Sequence, residues 1–103
     1  MFGLKDLMQQ AQGLQTKISE AQDLLAEMTV TGTAGGDMVQ VVATGLQEII
    51  SVHIERQLLE SPDPEFLEDL IVAATNDALT KSRELMTQEM AKITGGLRIP
   101  GLA

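Results

Sequence analysis

Apolar side chains recur near the start of the chain in alternating steps of three and four: Leu4, Leu7, Ala11, Leu14, Ile18, Ala21, Leu25 and Met28. At about 100° per residue these positions stack into one narrow seam on a helix of about seven turns, the pattern of a helix that packs against another helix. Residues 4 to about 28 are rich in Gln, Ala, Leu, Lys and Glu, lack Pro, and have Gly13 as their one weak interior point. The period then changes. Thr29, Val30 and Thr31 favour a strand, and Gly32, Gly35, Gly36 and Asp37 supply a turn. A second strand follows over Met38–Thr44, with Val39, Val41 and Ala43 on one face. Thr44-Gly45 reads as a short hairpin turn into a third strand, Leu46 to Glu55, where Ile50, Val52 and Ile54 oppose Ile49, Ser51, His53 and Glu55.

Glu60-Ser-Pro-Asp-Pro-Glu-Phe ends that strand, and Asp63-Pro64-Glu65 is a helix start: a capping side chain, Pro at the first helical position, then acid near the positive dipole end. The second helix is expected from Pro64 to about Thr94, with Leu67, Leu70, Ile71, Ala74, Ala78, Leu85, Met86, Met90 and Ile93 as its apolar stripe and Gly95-Gly96 as its stop. The expected fold is α+β: an α-β-β-β-α subunit with a three-stranded antiparallel sheet and two long helices. It forms one domain over 1–103, with 1–28 helical, 29–55 a meander, 63–94 helical and 95–103 a tail. Three short strands span only about 20–25 Å, whereas helices of this length run about 40 Å, so the helices must overhang the sheet. An overhanging seam needs a cover, which predicts a homodimer with sheets joined or packed together and helical arms projecting.

With 103 residues and 44% hydrophobic content the chain can bury one modest core. It has no run of about 18 apolar residues, and Asp6 interrupts its start, so a cytoplasmic protein is expected. Zero cysteines exclude disulfides, thiolate metal sites and cysteine nucleophiles. Fifteen acidic against seven basic residues give a net charge of −8, so any anion-binding site must be local.

Few residues carry catalytic chemistry. His53 lies two positions from Ser51 on one strand face, but no Gly-x-Ser-x-Gly turn accompanies them. Glu60, Asp63, Glu65, Glu68 and Asp69 cluster at a helix start, where the dipole already accounts for them. The glycines at 32, 35 and 36 lead into a strand rather than a helix and lack the Gly-Lys-Thr/Ser ending of a phosphate loop. No catalytic residue, metal or cofactor is therefore assigned. The six methionines read as core and interface filler. Only Phe2 and Phe66 are aromatic, so the chain lacks the stacking platform of single-strand binders, and duplex backbone is the better nucleic-acid target.

Several segments together carry a resemblance: the opening Met-Phe-Gly-Leu-Lys-Asp-Leu-Met-Gln-Gln-Ala-Gln, Val30-Thr-Gly, Val39-Gln-Val-Val-Ala-Thr-Gly, Val52-His-Ile-Glu-Arg-Gln-Leu-Leu-Glu, Leu67-Glu-Asp-Leu-Ile-Val-Ala-Ala-Thr-Asn-Asp-Ala and Gly95-Gly-Leu-Arg-Ile-Pro-Gly. Over nearly its whole length the chain resembles the YbaB/EbfC family of bacterial nucleoid-associated proteins, most specifically from Leu67 to Ala78. The resemblance implies a tweezer-shaped dimer of α-β-β-β-α subunits that binds DNA, condenses it and influences gene expression. It supplies no base-reading motif.

Phosphate contacts need Lys, Arg or amide donors, and the basic residues are Lys5, Lys17, Arg56, Lys81, Arg83, Lys92 and Arg98. Lys5, Lys17, Lys81, Lys92 and Arg98 form the candidate DNA-binding set. Lys81 and Lys92 are eleven residues apart, about three turns, and so share a helix side, while Gln9, Gln10, Gln12, Gln15 and Gln22 add neutral donors on the first helix. Against this stand helical ion pairs, Lys81 with Glu84 and Lys92 with Glu89. A dimer carries twice −8, so binding should be sequence-nonspecific and weakened by salt. The competing reading is an acidic dimeric adaptor that uses its helical surfaces to bind an unidentified protein partner.

Overall fold

The computed structural model describes residues 3–94. Helix α1 spans Leu4–Glu27, followed by strands β1 Thr29–Ala34, β2 Val39–Thr44 and β3 Ile49–Ile54, a short helix α2 Arg56–Glu60, and the long helix α3 Pro64–Thr94. The strands form an antiparallel sheet in the order β1-β2-β3, so the fold is α+β. Helix α3 crosses one face of β1 and β2, burying Val39, Val41 and Ala43 against Ala74 and Ala78, with Leu67, Leu70, Ile71 and Leu58 around them. Small residues on α3 let the helix lie close to the sheet, and β-branched residues on β2 fill the pleat. The chain is elongated, 72 × 26 × 16 Å, because both long helices run past the sheet.

Gly32 lies in the middle of β1 rather than in the turn that its type suggests. It is buried, and a Cβ at this position would overlap the backbone of Ala74 and Ala78. Glycine is present for helix-to-strand approach, and β1 extends to Ala34 as a result. The turn itself is made by Gly35, Gly36 and Asp37, all at positive φ. The third strand begins at Ile49, not Leu46, because residues 45–48 form the connection: Thr44 N–H donates to Glu48 O (2.8 Å), Gln47 N–H to Thr44 O (3.1 Å), and Gln47 takes φ 65°. A bulge at Val42/Ala43 absorbs the extra residue on β3. Helix α2 has no counterpart in the sequence pattern. Its Leu58 packs against the core, which turns the start of the linker inward. Helix α3 starts at Pro64, with Phe66 N–H donating to Asp63 Oδ1 at 3.3 Å.

One turn ties the two long helices together. Gly45 N–H donates to Leu25 O (2.9 Å) and Met28 O (3.0 Å) at the end of α1. The buried Ser82 of α3 donates its hydroxyl to Thr44 O (2.7 Å) and accepts from Gln47 N–H (3.0 Å). From this joint α3 continues to Thr94, about 18 Å, whereas α1 extends back from Leu25 to Leu4, about 32 Å. Burial along the seam follows that geometry: Leu25 is buried, Met28, Ala21, Ile18 and Leu14 are half-buried, and Ala11, Leu7 and Leu4 are exposed. The seam is thus covered by α3 only over its second half.

Gly13 sits mid-helix, and a Cβ added there would meet no atom within 4 Å. Gly13→Ala is therefore expected to stabilise the fold by about 0.5–1 kcal/mol, read as a raised denaturation midpoint with unchanged slope.

Candidate nucleic-acid interface

The cations divide into those the fold occupies and those it leaves to solvent. Lys81 is occupied: its Nζ donates to Thr31 O at 2.9 Å and pairs with Asp77 Oδ2 at 3.1 Å. The same carboxylate oxygen accepts Thr33 N–H at 3.0 Å. One ion pair on α3 thereby satisfies two backbone groups of the edge strand β1, which also discourages strand addition there. The partner of Lys81 is Asp77, four positions back, and not Glu84. Lys92 does pair with Glu89, at 2.8 Å, with Glu89 buried and Lys92 exposed. Arg83 donates to Thr80 Oγ1 at 3.4 Å. Lys5, Lys17 and Arg56 are exposed and have no ion pair or hydrogen-bonding side-chain partner among the described residues. Arg98 lies outside the described residues.

The Thr33 N–H bond, then the Lys81 bond and charge, hold the Asp77 carboxyl below its ordinary value. A depressed carboxylate contributes stability that is present above its unfolded pKa of about 3.9 and is lost as pH falls through the lower folded value. Asp77→Asn is therefore expected to flatten the acid limb of a stability-versus-pH curve below about pH 4, with little change near neutrality in the slope of that curve. Chemical denaturation at stepped pH checks this, and an unchanged acid limb would contradict it.

On α1, Lys5, Gln9, Gln12, Thr16 and Ser19 recur in steps of four and three on the side opposite the apolar seam, and all are exposed. Residues 7–19 contain no acid. In the outer arm, α1 up to Ser19 and α3 from Gln88, both about 9 Å beyond the joint, the charged residues Lys5, Lys17, Lys92, Asp6 and Glu89 leave one net positive charge on a chain of net −8. The acids are concentrated at the sheet end. The arm is thus the part of the surface least repelled by a polyanion.

His53 and Ser51 are both exposed on β3, and no hydrogen bond joins them among the described residues. Among the described residues no group of three or more His, Asp or Glu could hold a metal ion. No described helix is long and apolar enough to cross a membrane.

A sequence model of the YbaB/EbfC DNA-binding family matches residues 1–97. The chain belongs to the YbaB/EbfC DNA-binding family. A nucleoid-associated protein of Syntrophobacter fumaroxidans is 55% identical over 95 residues, 92% of this chain and 86% of that one. Another, from Caldanaerobacter subterraneus, is 46% identical over 101 residues, 98% and 91% of the respective chains. The crystal structure of an uncharacterized protein from Helicobacter pylori superimposes with a TM-score of 0.82 at 24% identity, covering 92% of this chain and all of that one, which establishes the shared fold. Within the family fold, sequence spacing points to Lys92–Glu89 but misses the role of Asp77. Its i,i+4 relation to Lys81 is legible; its bond to β1 depends on tertiary placement.

Proposed function

We propose that this member of the family binds duplex DNA as a homodimer, largely through the phosphate backbone, and thereby condenses DNA and influences gene expression in the nucleoid. The observation that carries the reading is the charge partition along the molecule: an acidic sheet end and an arm with exposed Lys5 in a stripe of neutral donors and exposed Lys17 about 120° round the helix from it. We assign Lys5, Lys17, Lys92 and Arg98 to DNA. Lys81 belongs to the fold instead, since its ammonium is held by the Thr31 carbonyl as well as by Asp77, whereas Lys92 has a single acidic partner, Glu89, and a side chain that stays 72% exposed. Titration of a labelled duplex at several salt concentrations tests the reading.

Dimerisation is supported by what α3 leaves uncovered. It overlies β1 and β2, while Ile50 and Val52 on β3 stay 53% and 47% exposed and Val72 on α3 stays 58% exposed. A second copy that brings its own apolar surface to β3 removes all three from water. Light scattering at micromolar concentration is expected to give about twice the 11.1 kDa chain mass, and Val52→Glu is expected to halve it. A monomer in the unsubstituted protein would contradict the dimer. The adaptor reading draws on the exposed Leu4, Leu7 and Met8 of α1. A pull-down yielding one stoichiometric protein and no DNA binding in the titration would select it.

A further inference from the structure

Gly13 has no packing reason to be glycine. Its Cβ would meet no atom within 4 Å, whereas one at Gly32 would overlap the backbone of α3. What glycine supplies at an exposed mid-helix position is backbone freedom. That freedom falls at a boundary in the arm. Outward from the joint, burial on α3 continues through Ser82, Met86, Glu89 and Ile93, and on α1 through Leu25, Ala21, Ile18 and Leu14, both in steps of four, three and four. Beyond Leu14 every residue from Leu4 to Gln12 is exposed. Gly13 therefore separates a length of α1 braced by α3 from an outer length that is not.

Three features loosen the helix at and outside this boundary. Thr16 donates its hydroxyl to Gln12 O at 3.0 Å, a back-bond of the kind that bends helices, on the carbonyl next to Gly13. The N-cap residue is Gly3, which has no side chain to satisfy the N–H groups of the first turn. Lys5 and Asp6 have no oppositely charged residue three or four positions away. A helical stretch of nine residues does not hold on its own in water.

We propose that Leu4–Gln12 is an articulated tip, hinged at Gly13, that sets the position of Lys5 independently of the braced arm. Lys5 lies eight residues from Gly13, about 12 Å along the helix, so a bend of about 20° moves it by about 4 Å. That matches the axial spacing of about 3.4 Å between phosphates on one strand of a duplex. One arm can then bring Lys5 to a phosphate on duplexes of differing shape. The hinge stands without the DNA reading; its use to place Lys5 rests on that reading.

Backbone amide relaxation measured by NMR on the full chain tests the hinge. Order parameters below about 0.6 are expected for Met8–Gln12 and about 0.85 for Ile18–Leu25, and Gly13→Ala is expected to raise the outer values toward the inner ones. Equal order along α1, or no response to Gly13→Ala, overturns the hinge. On a saturating duplex of about 30 base pairs the outer values are expected to reach the inner ones. Gly13→Ala is expected to weaken duplex binding about two- to fivefold per arm, because the substituted helix resists the bend. Unchanged or tighter binding by that variant, or a tip still mobile on saturating DNA, overturns the use of the hinge to place Lys5. A mobile tip in a protein that binds no duplex contradicts the DNA function and leaves the hinge standing.

Discussion

Gly32→Ala is expected to destabilise the protein by about 3 kcal/mol or more, lowering its melting midpoint by roughly 12–24 °C. The added methyl meets main chain, not a movable side chain: its nearest neighbours are backbone atoms of Ala74 and Ala78 at the crossing of α3 over β1. Relief requires α3 to lift, and lifting it opens the packing of Ala74 and Ala78 on the β2 valines that forms the centre of the core. Against a total stability of about 5–15 kcal/mol for a domain, that loss is large. Gly36→Ala is the informative comparison, since Gly36 has φ 63° but no atom within 4 Å of an added Cβ. There only the left-handed backbone resists, at about 1 kcal/mol. Thermal unfolding followed by circular dichroism separates the two. Equal effects would mean that α3 gives way to the added methyl, and that the close crossing does not select glycine at position 32.

The largest functional effect is expected from removing the two exposed lysines of α1, which have no ion pair among the described residues. Lys5→Gln combined with Lys17→Gln leaves helix propensity nearly unchanged, because both residue types are good helix formers and both sites are exposed. Removing one lysine–phosphate interaction lowers the slope of log affinity against log salt by about 0.9, so a dimer using both lysines on both arms would show a slope smaller by up to about 3.6. Affinity at low salt falls with it. Lys81→Gln is expected to act differently: it removes the bonds to Thr31 and Asp77 and so lowers stability, while the salt slope stays near that of the unsubstituted protein. If Lys81→Gln instead reduces the slope as strongly as the α1 pair, the DNA-facing surface lies on the sheet-proximal part of α3 and the arm assignment is wrong.

Elements with strong local signals are legible in the sequence. The heptad gives α1 to within a residue of its end, and Asp63-Pro64-Glu65 gives the start of α3, because caps and helical periodicity are local properties. Gly32 reads as a turn residue because glycine signals both freedom and lack of bulk, and only the crossing of α3 distinguishes them. Helix α2 is invisible because a five-residue helix in a polar linker has no periodicity to read. The long connection between β2 and β3 is hidden for a related reason: Gln47 adopts positive φ without being Gly or Asn, held there by Thr44 and Ser82. At the candidate interface, charge and spacing identify all the basic residues but cannot sort them. Lys81 and Lys5 look alike in sequence; a strand edge 50 residues away engages one and nothing among the described residues engages the other.

The most direct test is a fluorescence-anisotropy titration of a labelled duplex of about 30 base pairs, repeated over a range of salt concentrations. Saturable binding is expected, with log affinity falling linearly with log salt and a slope that the Lys5→Gln, Lys17→Gln protein reduces. No binding at low salt, or binding whose affinity does not respond to salt, would contradict the proposed function.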